Sequence, residues 1–362
     1  MKNRLFLLLN FCFIFLFVNN NLFASHDSGE EKFDVNGMIM HHIKDAHEWH
    51  ILDYKKKNGE EVIVTVPLPI IVYHNGQLDI FSSKQFDHGN KIVEKGQNKY
   101  ILYHEKIYIA NNEDGITYQT NENGDKVVIN EKPWDFSITK NVFSMMIVSV
   151  ILLLVFITVA RSYRKNPGRP KGLQAFMEPL ILFVRDDIIY PSLGKNTDRF
   201  LPFLLTLFFF ILFNNLMGII PFFPGNANVT GNIAVTMTLA IFTFLVININ
   251  GSKDYWKHTF WMPGVPVFVK PILAVVELIG MIVKPVALTI RLFANITAGH
   301  IIILSLVGLI FVFKTLAISP VSALFILFMD CLELLVACLQ AYIFTMLSSL
   351  FIGMAIQEHD HH

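Results

Sequence analysis

Apolar residues in this chain gather into long runs separated by polar stretches, and the lengths of those runs predict its elements. A helix rises about 1.5 Å per residue and a hydrocarbon core is about 30 Å thick, so about 20 apolar residues make one crossing. Runs at 142–160, 200–220 and 232–249 meet that length. Two others, 267–313 and 320–356, exceed it so far that their helices must tilt steeply, bend, or lie partly in the membrane plane. Residues 172–190 mix apolar positions with Glu178, Arg185, Asp186 and Asp187, the pattern of a helix lying along the interface.

The N-terminal third reads differently. Residues 1–24 join Lys2 and Arg4 to an apolar run from Leu5 to Val18 and a small residue at Ala24, which predicts a signal peptide. Leu22 departs from the small residue expected two positions before Ala24, so an uncleaved anchor competes; either one exports the residues beyond Ser25. Residues 25–138 are polar, with alternating runs at Val62–Ile71 and Tyr100–Ile109 and Asn-Gly pairs at Asn58/Gly59, Asn75/Gly76 and Asn123/Gly124. Asn-Gly supplies the positive φ angles of tight hairpins, so a small β-rich exported domain is expected. His41, His42, His47 and His50 have no cysteine or clear further ligand beside them and read as a solvated segment, His47 and His50 sharing a face if it is helical.

After the first run come Arg161, Arg164, Lys165, Arg169 and Lys171 with no acid among them. The positive-inside rule puts that loop in the cytoplasm and the β-rich domain outside. The fold class is therefore an all-α polytopic membrane protein at 139–362, with five membrane-embedded helices, the last two long and strongly tilted, behind a β-rich N-terminal domain.

Composition agrees: the chain is 53% hydrophobic and only 16% charged, too apolar for an ordinary soluble protein. A formal net charge of zero offers no basic excess to offset phosphates, so no nucleic-acid partner is expected. Cys331 and Cys338 stand seven residues apart, about 10 Å along a helix and too far to bridge, and Cys12 lies in the leader. No nucleotide loop, nucleophile elbow or zinc spacing is present, so the chain has no catalytic site of its own, and neither cofactor nor metal is expected.

Inside the last two runs sit Glu277, Lys284, Arg291, His300, Asp330, Glu333 and Gln340. A charge at bilayer depth is costly and normally faces protein or a water-filled path. Snorkelling near a helix end competes for Lys284 and Asp330, but Arg291 is flanked by Val286–Ile290 and by Leu292 and Phe293. Glu277, Lys284 and Arg291 follow at intervals of seven and form one stripe, as do Glu333 and Gln340. Arg291 and His300, nine apart, fall on opposite faces, about 13 Å apart along the axis.

Residues 284–300, KPVALTIRLFANITAGH, resemble the signature of subunit a of the rotary ATP synthase membrane sector, in which a Lys-Pro pair precedes an arginine. Residues 339–344, LQAYIF, resemble its last-helix motif and 215–221, NLMGIIP, its second span, so the likeness covers about 161–356. The resemblance implies that Arg291 is the essential arginine, Asn295 its polar neighbour and Gln340 the glutamine facing it. His300 stands where many members carry glutamate and Glu333 where many carry histidine, an exchange that keeps one carboxylate and one imidazole. Asn232 stands where many carry aspartate, which weakens a role in moving protons itself. Asn215, Asn232, Glu277 and Lys284 are supporting residues.

The implied function is that of the proton-conducting stator subunit. Two offset half-channels would serve the carboxylates of a rotating c-ring, with Arg291 between them and His300, Glu333 and Asn295 lining the outer one. The implied partners are that ring, the peripheral stalk subunit b and the rest of the ATP synthase. The implied setting is a bacterial inner membrane, crossed several times, with the C-terminus cytoplasmic. A secondary transporter holding an anionic substrate at Arg291 is the alternative, but it would normally show internal repeats and none is convincing. A non-catalytic anchor for the exported domain leaves the membrane charges unexplained. The sequons at Asn228 and Asn295 read as chance matches.

Overall fold

Alternating residues in the N-terminal domain pair into antiparallel hairpins. The strands are β1 (Glu48–Lys55), β2 (Glu61–Pro67), β3 (Pro69–His74), β4 (Gln77–Ser82), β5 (Val93–Lys95), β6 (Asn98–Tyr103), β7 (Lys106–Ile109), β8 (Tyr118–Thr120), β9 (Lys126–Val128) and β10 (Trp134–Asp135). They form sheets β1-β2, β10-β3-β4, β5-β6-β7 and β8-β9. This computed structural model describes residues 37, 39–40, 43–55, 61–111, 115–120, 126–165, 170–220, 223, 225, 227–262, 264–313 and 319–357. The leader at 1–24, His41, His42, and the turns at Asn58/Gly59 and Asn123/Gly124 lie outside the described residues.

Asn75 and Gly76 take φ of 49° and 79° and turn β3 into β4, with His74 opposite Gln77. The run 62–71 covers β2 and β3, parted at Leu68, and the run 100–109 covers β6 and β7, which fold back at His104 and Glu105, with φ of 49° and 64° and no glycine. One expectation needs correction: the segment around His47 is neither solvated nor helical. It leads into β1, and His47 is buried with Nε2 3.0 Å from Asp135. Burial pushes the Asp135 carboxyl up, but hydrogen bonds from His47 and Ser137 outweigh it and hold the carboxyl below its ordinary value. Ile70, Val72, Phe81, Phe86 and Tyr100 close the domain's core, where Tyr100 Oη donates to Asp79 at 2.7 Å.

The domain leads into α1 (Lys140–Lys165), and its own residues cap that helix. Asp45 accepts from the Asn141 backbone N–H at 3.0 Å and the Thr139 hydroxyl at 2.9 Å, while Ala46 O accepts from the Lys140 N–H. Then come α2 (Leu173–Phe183), a π-helical segment at Val184–Ile189, a short turn at Tyr190–Leu193, and α3 (Thr197–Ile219). The predicted interfacial segment thus runs on helically into the next crossing. Beyond it lie α4 (Ile233–Ile249), α5 (Lys253–Phe260), bent 103° from α4, then α6 (Lys270–Phe313) and α7 (Ser319–Ile356).

α6 has 44 residues and α7 has 38, about 66 and 57 Å at the helical rise, roughly twice a hydrocarbon core. Each is one continuous helix, so steep tilt or curvature takes up the excess. The core between helices centres on Leu204, Phe209 and Ile211 of α3 and Ile352 of α7. Phe156 of α1 meets Phe209 edge-on at 5.1 Å. α7 passes so close to the Tyr190–Leu193 turn that a Cβ at Gly353 would collide with Ser192 O, and only glycine fits there.

Candidate functional site

The face that α6 turns to the bundle is set by Leu288, Leu292 and Ile296, four residues apart and all buried. Arg291 and Asn295 fall on the other side and are exposed, beside the equally exposed Ala294 and Ala298 and below Val286 and Ile290. Apart from Arg291 and Asn295 this stripe is alanine and aliphatic. Among the described residues no ion pair or side-chain hydrogen bond is made by Arg291. Its guanidinium therefore presents five donors that no described side chain engages.

His300 and Glu333 are placed the opposite way. Their side chains are 13% and 6% exposed, and His300 Nδ1 lies 2.5 Å from Glu333 Oε1, joining α6 to α7 across 33 positions of sequence. Gly299 makes room for the carboxylate: a Cβ there would sit 3.2 Å from Glu333 Oε1. Gly218 lies beside the ring, where a Cβ would rest in ordinary contact 3.9 Å from His300 Nε2, and its tight neighbour is Ala227 O at 3.3 Å. The pair therefore lies beside the end of α3 nearest the β domain.

Polar groups continue from it. Asn215, buried in α3, donates to Ala337 O of α7 at 3.1 Å and accepts from the Thr230 hydroxyl at 2.6 Å. The Thr297 hydroxyl of α6 donates to Gly231 O at 3.3 Å. Both side-chain polar atoms of Asn228 and Oδ1 of Asn214 are buried without a protein partner.

Across the bundle, Lys284 lies 5.3 Å from the Phe351 ring at a recess of about 10 Å³ lined also by Asn248, Tyr255 and Leu288, room for about one water. Glu277 is half-buried one stretch earlier on α6. Along α6, Lys284 and His300 thus flank Arg291, one toward each end of α4. Gln340 is buried in α7, and no hydrogen bond joins it to Arg291 among the described residues. Asn295, one turn from Arg291, is exposed as Arg291 is. Asn232 caps α4, accepting from Ala234 N at 3.0 Å, a structural task for its side chain.

The profile of the ATP synthase A chain matches residues 142–353, more than half of the chain. This chain belongs to the ATP synthase subunit a family. A second profile, a domain of unknown function (DUF8433), matches residues 38–136, the β domain. "ATP synthase subunit a" of Chloroherpeton thalassium is 51% identical over 235 residues, 63% of this chain and 69% of that protein. Those of Pelodictyon phaeoclathratiforme and Chlorobium phaeobacteroides are 45% and 43% identical, each over 63% of this chain and 68% of their own length. The chain is accordingly a multi-pass membrane component of an ATP synthase, which sets the transporter and anchor readings aside.

Within this family member, sequence reasoning missed Asn214, Gly218, Asn228, Thr230, Thr297 and Gly299. One signal was available: the connection 221–231 is uncharged yet carries Asn226, Asn228 and Thr230 between two apolar spans, which is unusual for a solvated loop. Asn228 belongs to a sequon, but its burial leaves no room for a glycan.

Proposed function

We propose that the chain is the proton-conducting stator subunit of a rotary ATP synthase, serving a c-ring through two offset half-channels that Arg291 keeps apart. The observation that carries this reading is the exposure of Arg291 in a stripe that, Asn295 apart, is alanine and aliphatic, with no ion-pair partner among the described residues. A cation so placed needs a carboxylate from a partner, and small neighbours let a partner helix come close.

On the β-domain side, the exported side in this reading, a proton reaches His300 and Glu333 through the polar groups around Asn215 and Asn228. It passes to a ring carboxylate, which can then face lipid because it is neutral. After nearly a full turn the carboxyl meets Arg291, ionises, and releases its proton toward the recess near Lys284 and Glu277. Guanidinium stays protonated to above about pH 12, so Arg291 cannot relay a proton between the two paths, whereas a lysine could lose its own. Each charge crossing 100 mV contributes about 2.3 kcal/mol, and the ring sums several crossings for one ATP. The basic loop at 161–171 and the end of α7 share the cytoplasmic side, the peripheral stalk subunit b holds the chain against torque, and the leader directs the β domain outward.

The test uses the assembled complex in vesicles. Arg291→Lys should abolish ATP-driven proton pumping although the charge is kept, and Arg291→Ala should add a passive, ring-dependent leak under an imposed potential. Normal pumping by Arg291→Ala would defeat the reading.

A further inference from the structure

Trp49, in β1 of the exported domain, is 2% exposed, yet it is not in that domain's own core. It lies with Ala227 and Val229 of the α3–α4 connection, and meets Phe143 of α1 and Phe223 of the connection edge-on at 5.9 and 5.3 Å. Ala227 and Val229 bracket Asn228, whose amide is buried and unpartnered. That amide fills the space left by Gly231, where a Cβ would collide with Asn228 Oδ1. Thr230 and Gly231 then tie the connection to Asn215 and Thr297, and Ala227 O faces Gly218 beside the His300 ring. One unbroken series of contacts runs from the exported domain to the His300–Glu333 pair.

We infer that the exported β domain forms part of the proton path, with Trp49 as a positioning residue that holds the 227–231 connection as the wall through which protons reach His300 and Glu333. This rests on the reading of that pair as the proton acceptors on the exported side. Among its described residues the connection is held by the backbone bonds Val229 N–H to Ala227 O and Asn232 N–H to Val229 O, and a buried indole adds a fixed surface against it. Asp45 and Ala46, bonded at the start of α1, anchor the domain at a second point, so Trp49 cannot rotate away as a rigid body.

The experiment is ATP synthesis by the purified complex in proteoliposomes, driven by a fixed total proton-motive force while the pH on the exported side is varied. Trp49→Ala should lower synthesis about tenfold when protons are scarce on that side and by less than twofold when they saturate, moving the half-maximal pH by about one unit. Trp49→Phe, which keeps an aromatic wedge, should restore most of the profile. An unchanged pH profile in fully assembled Trp49→Ala complex would overturn the inference, as would a loss equal at every pH, the mark of a purely structural role. If Trp49→Ala does not assemble, Phe223→Ala at the rim of the same contact should give a smaller shift of the same sign, and no shift there is equally fatal. Glu333→Ala, run alongside, separates the two layers: if it leaves the profile unmoved, the assignment of the pair fails, whatever Trp49 does. If Glu333→Ala moves the profile and Trp49→Ala does not, only the role of the domain fails.

Discussion

Gly299 offers the sharpest steric test of the His300–Glu333 pair. A Cβ at 299 would stand 3.2, 3.4 and 3.5 Å from Oε1, Cδ and Cγ of Glu333. Ordinary contact begins near the last two distances, so Gly299→Ala asks the carboxylate to yield only about 0.2 Å, within what packed side chains accommodate. The same change removes a glycine from a helix interior, which favours folding by up to about 1 kcal/mol. The two effects nearly cancel, and Gly299→Ala should pump protons within about threefold of the parent. Gly299→Val adds two more methyl groups to a space already occupied by a carboxylate held 2.5 Å from His300. Overpacking on that scale costs about 1 to 3 kcal/mol, or about 5- to 150-fold if the pair must be intact to pass a proton.

A control lies on the same helix: a Cβ at Gly280 would meet nothing within 4 Å, so Gly280→Ala should be neutral or stabilising. The assay is ATP-driven acidification of inverted vesicles, normalised to assembled complex, with thermal unfolding of the same preparations. Gly299→Val acidifying at the parent rate would refute the reasoning, because the carboxylate would then have moved without consequence for transport.

Other outcomes rest on the same geometry. Exchanging the pair, His300→Glu with Glu333→His, should restore part of the proton flux that either single alanine change removes, read as vesicle acidification; equal flux in both alanine variants and the parent would take the pair out of the path. Asn215→Leu, close in volume, strands the Thr230 hydroxyl, at about 1 to 3 kcal/mol when buried unpaired, and removes the extra bond to the Ala337 carbonyl, which keeps its helical partner, so it should lower the melting temperature and the yield of assembled subunit. Asp135 is held below its ordinary carboxyl value by His47 and Ser137, so its contribution is present above about pH 4 and is lost as pH falls through the lowered folded value. Asp135→Asn should therefore reduce stability near neutral pH and flatten the acid limb of the chain's thermal unfolding profile, while an unchanged limb would show the pair to be inert.

Much of this molecule is legible in its sequence. The crossings are set by run length against bilayer thickness, which is a one-dimensional constraint, and α1, α3, α4, α6 and α7 lie where the runs at 142–160, 200–220, 232–249, 267–313 and 320–356 put them. Arg291 stands out by its depth in a run, and the Asn75-Gly76 hairpin by the φ angles that such a pair accepts cheaply. Periodicity also sets Arg291 and His300 on different faces of one helix.

It cannot say which face meets protein. Exposure of Arg291 and burial of His300 depend on how α6 crosses α3 and α7, which is decided by side-chain fit between helices far apart in sequence. The same limit hides the partner of His300, since Glu333 is reached through the space left by Gly299, and a glycine's role shows only when its neighbour is known. Trp49 is the extreme case. A strand tryptophan reads as domain core, and only tertiary contact reveals that it is buried against a connection nearly 180 residues away, because burial depends on a residue's neighbours in space and a local pattern carries no record of them.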